Sequence, residues 1–361
     1  MYLPQHISMY KIVYFFIFTI LVFSACTEDE PSNTDDGQPV VQAESTYTVL
    51  FDEDITYASG LGLDAMNTVT EIPQLLDVYH PENNATNRPV FMFIHGGGFT
   101  GGIKHKPEIV DMANYYASRG WVFVSIDYRT TEELGIIDGM SPEEVLALYK
   151  GIAPQEWMEN AFGGAQSPKE FQQSTAMYAA QRDAKAALRW IVANANTYNI
   201  NTDFITVGGA SAGAVTTIAL GISNQEDFRD EISMADDPTL STTNLDETYE
   251  VQSMIYFWGS KIKLDVYEAV YDLEQHDRYD VSDPELFMAH GTAEDPVTPY
   301  EGALELQSIY ESLSLHNELA TITQPNGNPA GHGAWNGVLD GKGLSELTFD
   351  FLVERQELVV E

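Results

Sequence analysis

From Tyr47 onward the chain alternates short apolar runs with stretches in which apolar side chains recur every three or four positions. Leu75–Tyr79, Val90–Ile94, Trp121–Asp127, Phe204–Val207, Met254–Trp258, Leu286–Ala289 and Leu319–Thr323 are short runs rich in β-branched and aromatic residues. Several are apolar almost without interruption, as strands buried on both faces of a parallel sheet are. The helical period is clearest over Met177–Tyr198, where Ala and Leu form a stripe and Gln181, Asp183, Lys185 and Asn196 lie off it. Further helical patterns follow Ser211 and span Tyr300–Ser314 and Gly343–Glu354. The alternation predicts one α/β domain over 47–361, with a mostly parallel central sheet and helices on both faces.

Two stretches break the rhythm. Residues 130–175 follow a strand and place Ile136, Ile137, Trp157, Met158 and Phe162 among glycines and acids. An insertion that long at a strand end predicts a lid or cap over a site. Ser223–Glu250 is polar and acidic and reads as a second, less ordered excursion.

Composition narrows the partners. Hydrophobic residues make up 44% of the 361 positions, enough for a real core. The formal net charge of −38 repels phosphate backbones and anionic bilayers, which excludes general nucleic-acid binding and charge-driven membrane association. The single Cys excludes an intrachain disulfide and a four-Cys zinc site.

That Cys ends a distinctive leader. Lys11–Cys26 reads KIVYFFIFTILVFSAC, one positive charge followed by an apolar run and small residues, the layout of a secretory signal. The run is too short for a comfortable transmembrane helix. Met9, just before the Lys, is an alternative start. Phe23-Ser24-Ala25-Cys26 resembles the lipobox of bacterial lipoproteins, with Phe23 in place of the usual Leu. Residues 1–26 are therefore expected to be a lipoprotein signal, and 27–46 an acidic flexible tether. The resemblance implies export through the inner membrane and an outer-membrane lipoprotein held only by lipid at Cys26. The acids directly after Cys26 resemble the surface-export signal of some such lipoproteins.

Three motifs carry chemistry. His95-Gly96-Gly97-Gly98-Phe99 directly follows the run Val90–Ile94. Consecutive glycines at a strand end let the backbone aim N–H groups into a cleft, where they suit an oxyanion. Gly209-Ala210-Ser211-Ala212-Gly213 lies between a strand and a helix rich in Ala, Leu and Ile, the context of a nucleophile elbow with Ser211 at its apex. A serine hydroxyl needs a histidine to take its proton and a carboxylate to orient that histidine. In elbow architectures the order is Ser, acid, His. Of the eight histidines, only His316 and His332 lie beyond the candidate acid. His316 ends a helical pattern, whereas His332 sits in the loop Gly327–Gly333 after a strand, where catalytic bases usually sit. Asp295, in the loop after the preceding strand, is the candidate acid; Glu294 competes with it, and Asp283 precedes the strand.

Together these residues resemble the α/β-hydrolase superfamily, and within it the carboxylesterases with an HGGG oxyanion loop. The hormone-sensitive-lipase-like and feruloyl/acetylxylan esterase-like branches are the most similar. Leu76–Pro81, Asp127-Tyr128-Arg129 and the Gln181–Trp190 segment extend the match, which covers roughly Thr70 to Gly337. The resemblance implies a serine esterase without metal or cofactor, with Ser211 as nucleophile, His332 as base and Asp295 as acid. It implies an oxyanion hole formed by the N–H groups of Gly97, Gly98 and Ala212, with His95 holding the loop in shape. Small-molecule or polysaccharide esters, acetyl or feruloyl, are the substrates it implies. The family continues Asp-Tyr-Arg with Leu-Ala-Pro-Glu, but this chain has Thr130-Thr131-Glu132-Glu133 and then the long insertion. A non-catalytic binding lipoprotein on this fold would lack a member of this set, and none is missing. A peptidase of the prolyl-oligopeptidase type usually carries a large β-rich domain upstream, for which the chain before the HGGG loop has no room.

Overall fold

The computed structural model describes residues 37–261 and 278–361. The signal segment, Cys26 and residues 27–36 of the expected tether lie outside the described residues. The remainder of that tether is a correction to the sequence reading, because it is docked. Val40–Val41 pairs in parallel with Val359–Val360, and Thr46 and Tyr47 donate to the Ser118 carbonyl at 2.9 and 3.0 Å. Val41 is wholly buried, so one valine and the backbone pairing anchor an otherwise polar stretch.

The central sheet is built from β1 (Val49–Leu63), β2 (Val69–Pro81), β3 (Arg88–Ile94), β4 (Val122–Ile126), β5 (Ile200–Ala210), β6 (Ser253–Phe257), β7 (Glu285–Gly291) and β8 (Asn317–Ile322). Its order is β1-β2-β4-β3-β5-β6-β7-β8. β1 and β2 are antiparallel to each other and β2 is antiparallel to β4; every other pairing is parallel. After β3 the chain first adds β4 on one side and later β5 on the other. That reversal opens a crevice at the carboxyl ends of β3 and β5, where ligands bind in open α/β sheets.

The apolar runs divide cleanly between two cores because side chains alternate along a strand. Val90, Met92 and Ile94 face one core with Val122, Val124, Ile126 and Met254. Phe91 and Phe93 face the other with Phe123, Ile255 and Phe257. The second core is closed by α1 (Pro107–Ala117) and α6 (Leu344–Arg355), through Met112, Tyr116 and Phe351.

The insertion is built into the first core. It forms a 3-10 turn at Thr131–Glu133, then α2 (Pro142–Leu148) and α3 (Gln155–Gly164), and it runs into α4 (Pro168–Ala193). Trp157, Met158 and Phe171 are buried in that core. Helix α4 starts nine residues before the sequence expectation: Ser167 caps the Glu170 N–H at 3.2 Å and Pro168 occupies the first turn.

Helix α4 also corrects the stripe reading. Gln181, Asp183 and Lys185 lie off the Ala/Leu stripe yet are buried: Gln181 donates to Thr216 O at 3.3 Å, Asp183 pairs with Arg129 at 2.7 Å, and Ser223–Glu250 covers the side that carries Lys185. Arg182 pairs with Asp237 at 2.8 Å, Lys185 donates to the carbonyls of Asn224 and Asp227, and Arg189 Nε donates to Thr243 O at 2.7 Å. The excursion is thus irregular in backbone but held by buried charges. Among the described residues no helix is long and apolar enough to cross a membrane.

Candidate active site

Ser211 stands at the turn from β5 into α5 (Ala212–Gly221), half-buried, with φ 56 and ψ −117. A side chain at positive φ is strained, and such strain clusters at functional sites. The surroundings force it. A Cβ on Gly209 would lie 2.3 Å from the Gly213 carbonyl carbon, and one on Gly213 would lie 2.0 Å from Ile94 O. The chain therefore turns between two glycines wedged against β3. The Ser211 N–H donates to Phe257 O at 2.9 Å, which fixes the residue to β6 and points its side chain off the sheet.

The HGGG loop leaves β3 beside this turn. A trans peptide sends its C=O and N–H in opposite directions, so whatever holds the carbonyl aims the amide. His95 Nδ1 donates to Gly96 O at 2.7 Å, which aims the Gly97 N–H. Thr100 donates to Gly97 O from its N–H at 3.1 Å and its hydroxyl at 2.9 Å, which aims the Gly98 N–H. Among the described residues the N–H groups of Gly97, Gly98 and Ala212 have no hydrogen-bond partner. Three unspent donors at the mouth of a helix N-terminus can receive an oxyanion. His95 itself is buried, its ring stacked on Tyr128 at 4.3 Å, and burial pulls its pKa down to about 4. It stays neutral in the physiological range and serves the loop's shape.

Asp295 follows β7 and His332 follows β8. His332 Nδ1 donates to Asp295 Oδ2 at 2.8 Å. Glu294, the competing acid, is exposed, so Asp295 is the carboxylate that faces His332. Burial pushes the Asp295 carboxyl up, but the hydroxyl and amide of Thr298, the Val297 amide and His332 outweigh it and bring it down to about 2. The carboxylate is therefore ionised wherever the protein is folded at ordinary pH. His316 lies apart, 3.3 Å from Glu318. Trp335, three residues beyond His332, packs on Phe93 and Phe257 at 5.9 and 6.0 Å between ring centroids, which seats this loop against β3 and β6.

Residues 76–137 and 169–269 match the BD-FAE family model, an esterase domain of the α/β-hydrolase type. The chain has the α/β-hydrolase fold and is similar to the BD-FAE esterase domain over those segments. It is a carboxylic ester hydrolase. The matched segments of this hydrolase hold the HGGG loop and the Ser211 elbow; they omit most of the insertion, and Asp295 and His332 lie beyond them. A truncated form of a carbohydrate esterase from gut microbiota superposes with a TM-score of 0.52 at 18% identity, covering 89% of this chain and all of that one. Butyrate-bound esterase 2 of Thermogutta terrifontis gives 0.52 at 18% identity, over 78% of this chain and 90% of that one. The same esterase phosphorylated by paraoxon gives 0.50 at 19% identity, over 82% and 94%. At these identities the likeness is one of fold. A stretch of 122 residues is 30% identical to the non-reducing polyketide synthase ausA of Penicillium brasilianum, covering 33% of this chain but 5% of that protein's length.

Three neighbours of the site escaped the sequence reading: Thr100, Gln173 and Thr298. Thr298 stands three residues after Asp295, the spacing at which a hydroxyl can return to an Asp side chain across a tight turn. Gln173 lies in the insertion, and no local signal ties it to the HGGG loop.

Proposed function

We propose that this hydrolase is a serine esterase in which Ser211 is the nucleophile, His332 the proton carrier and Asp295 the orienting carboxylate. The N–H groups of Gly97, Gly98 and Ala212 form its oxyanion hole. The observation that carries the reading is the 2.8 Å bond from His332 Nδ1 to the buried Asp295. A histidine held this way keeps its proton on Nδ1 and leaves Nε2 free as a base.

Ser211 Oγ attacks the ester carbonyl carbon as His332 Nε2 takes its proton. The carbonyl oxygen becomes an oxyanion and accepts hydrogen bonds from the three amides. His332 then gives its proton to the leaving alkoxide, the C–O bond breaks and the alcohol departs. Water attacks the acyl-serine by the same route, returning the proton to Ser211 and releasing the carboxylic acid. Acetyl or feruloyl esters on a polysaccharide are the substrate class. One relative in fold is a carbohydrate esterase, and an exported enzyme tethered at Cys26 to the outer membrane meets polymers too large to import.

The chain from Thr27, assayed on acetylated xylan and on p-nitrophenyl esters, tests the reading. Ser211→Ala is expected to lower kcat by roughly three to six orders of magnitude. Wild-type rates in that variant would overturn the assignment, and release of acetate from small esters alone would overturn the polysaccharide part.

A further inference from the structure

Thr298 makes a set of contacts that the triad alone does not require. Its N–H donates to Asp295 Oδ1 at 3.0 Å, and its hydroxyl donates to Asp295 Oδ2 at 2.7 Å. The same hydroxyl oxygen stands 2.8 Å from His332 Nδ1. Behind it, His290 Nε2 lies 2.9 Å from the Thr298 carbonyl oxygen. Thr298 and His290 are both buried, which shields their side of this set from water. The Thr298 hydroxyl has one proton, and Asp295 Oδ2 can only accept, so the proton goes to Asp295. The oxygen's lone pair then faces the Nδ1–H of His332, which it shares with Asp295.

The geometry points to Thr298 as a positioning residue for the Asp295–His332 pair, acting through its hydroxyl. This inference rests on the triad reading above. The need for such a residue lies in the His332 loop. His332 is flanked by Gly331 and by Gly333, the latter at φ 74, and its side chain is 38% exposed. Among the described residues the hydrogen bonds of the His332 ring run through Nδ1, and one carboxylate oxygen defines a point rather than a direction. Two acceptors, Asp295 Oδ2 and Thr298 Oγ1, define the plane of the ring and hence the line along which Nε2 meets Ser211. The opposite oxygen, Asp295 Oδ1, is fixed by the N–H groups of Val297 and Thr298 at 2.9 and 3.0 Å, so the carboxylate cannot rotate away from this arrangement.

Thr298→Val keeps the shape and removes the hydroxyl; Thr298→Ala removes it without the bulk; Thr298→Ser retains it. The chain from Thr27 is assayed on p-nitrophenyl acetate, with melting followed by circular dichroism and Ser211→Ala run in parallel. The expected result is a fall in kcat of about tenfold for the valine and alanine variants. KM should stay within about twofold and the serine variant should remain within about twofold of wild type. A residue that merely stabilised the turn would lower melting temperature in all three and leave kcat of the folded fraction unchanged. Wild-type kcat in either folded variant without the hydroxyl overturns the inference, as does a serine variant as slow as alanine. Should valine not fold, alanine against serine decides it. Activity persisting in Ser211→Ala would overturn the triad reading instead, so the two failures are distinguishable.

Discussion

Gln173 Nε2 donates to Gly98 O at 2.5 Å, a bond between the first turns of α4 and the HGGG loop, 75 residues apart in the chain. It is the insertion's hold on the peptide that directly follows the Gly98 amide. Thr131 adds a second by donating to Phe99 O at 2.9 Å. Gly98 adopts φ 62 and has no side chain of its own to resist rotation, so the orientation of its peptide depends on such external partners.

Substituting Gln173 by Leu keeps the volume near Gly98 and removes the donor. The Gly98–Phe99 peptide then loses one anchor, and the amides aimed at the oxyanion lose preorganisation. We expect kcat/KM to fall about tenfold, mainly in kcat, since the interaction matters most where charge develops. Steady-state kinetics on a p-nitrophenyl ester checks this, and an unchanged kcat would mean that Thr100 and Thr131 hold the loop alone.

A second relation governs stability rather than chemistry. Arg129, three residues after the end of β4, forks onto Asp183 of α4, with Nη2 to Oδ1 at 2.7 Å and Nε to Oδ2 at 3.0 Å. Its Nη1 reaches Leu61 O in β1 at 2.8 Å, so one guanidinium joins the edge hairpin, the sheet and the long helix. Both side chains are buried. Asp183→Asn leaves that guanidinium without its counter-charge, a loss of about 3–5 kcal/mol by the usual cost of breaking one side of a buried pair. Urea unfolding of the two proteins measures it; a difference under about 1 kcal/mol would show that Leu61 and neighbouring carbonyls suffice.

Much of this site could be read before any coordinates. The strands that carry it are buried on both faces, so Val90–Ile94 and Phe204–Val207 announce themselves as unbroken apolar runs, and the glycines around Ser211 have no other structural excuse. The edge hairpin was less legible. β1 carries Asp52, Glu53 and Asp54 on exposed positions and is broken by register shifts at Asp52/Ile55 and Thr56/Ala58, so neither alternation nor an apolar run marks it. Helix α1, with its mixed PEIVDMANYYA sequence, was missed for want of a clean stripe. The charges on α4 misled because a helix covered on all sides can bury Arg182 and Lys185 only where carbonyls and carboxylates from a distant segment meet them, which periodicity does not encode. Gln173 is invisible for the same reason, since it acts through a tertiary contact; Thr298 shows only its spacing from Asp295, and its contact with His332 is tertiary.

The Asp295 carboxyl makes a pH prediction with a defined sign. Folded, it titrates near 2, below the 3.8 of an unperturbed Asp. As pH falls, the unfolded chain takes up this proton first, so the group stabilises the fold fully above the unfolded value and that contribution is lost as pH drops from about 4 through about 2. Asp295→Asn cannot titrate and lacks this contribution at every pH. The wild type is therefore expected to lose melting temperature more steeply than Asp295→Asn between about pH 4 and pH 2, and the two curves should converge at the acid end. Comparing the two proteins cancels the background of other carboxylates, which is large in a chain of net charge −38. Parallel curves across that window would mean that the Thr298 and Val297 bonds do not hold Asp295 in its charged form, and the carboxylate would then be no better fixed for His332 than an exposed one.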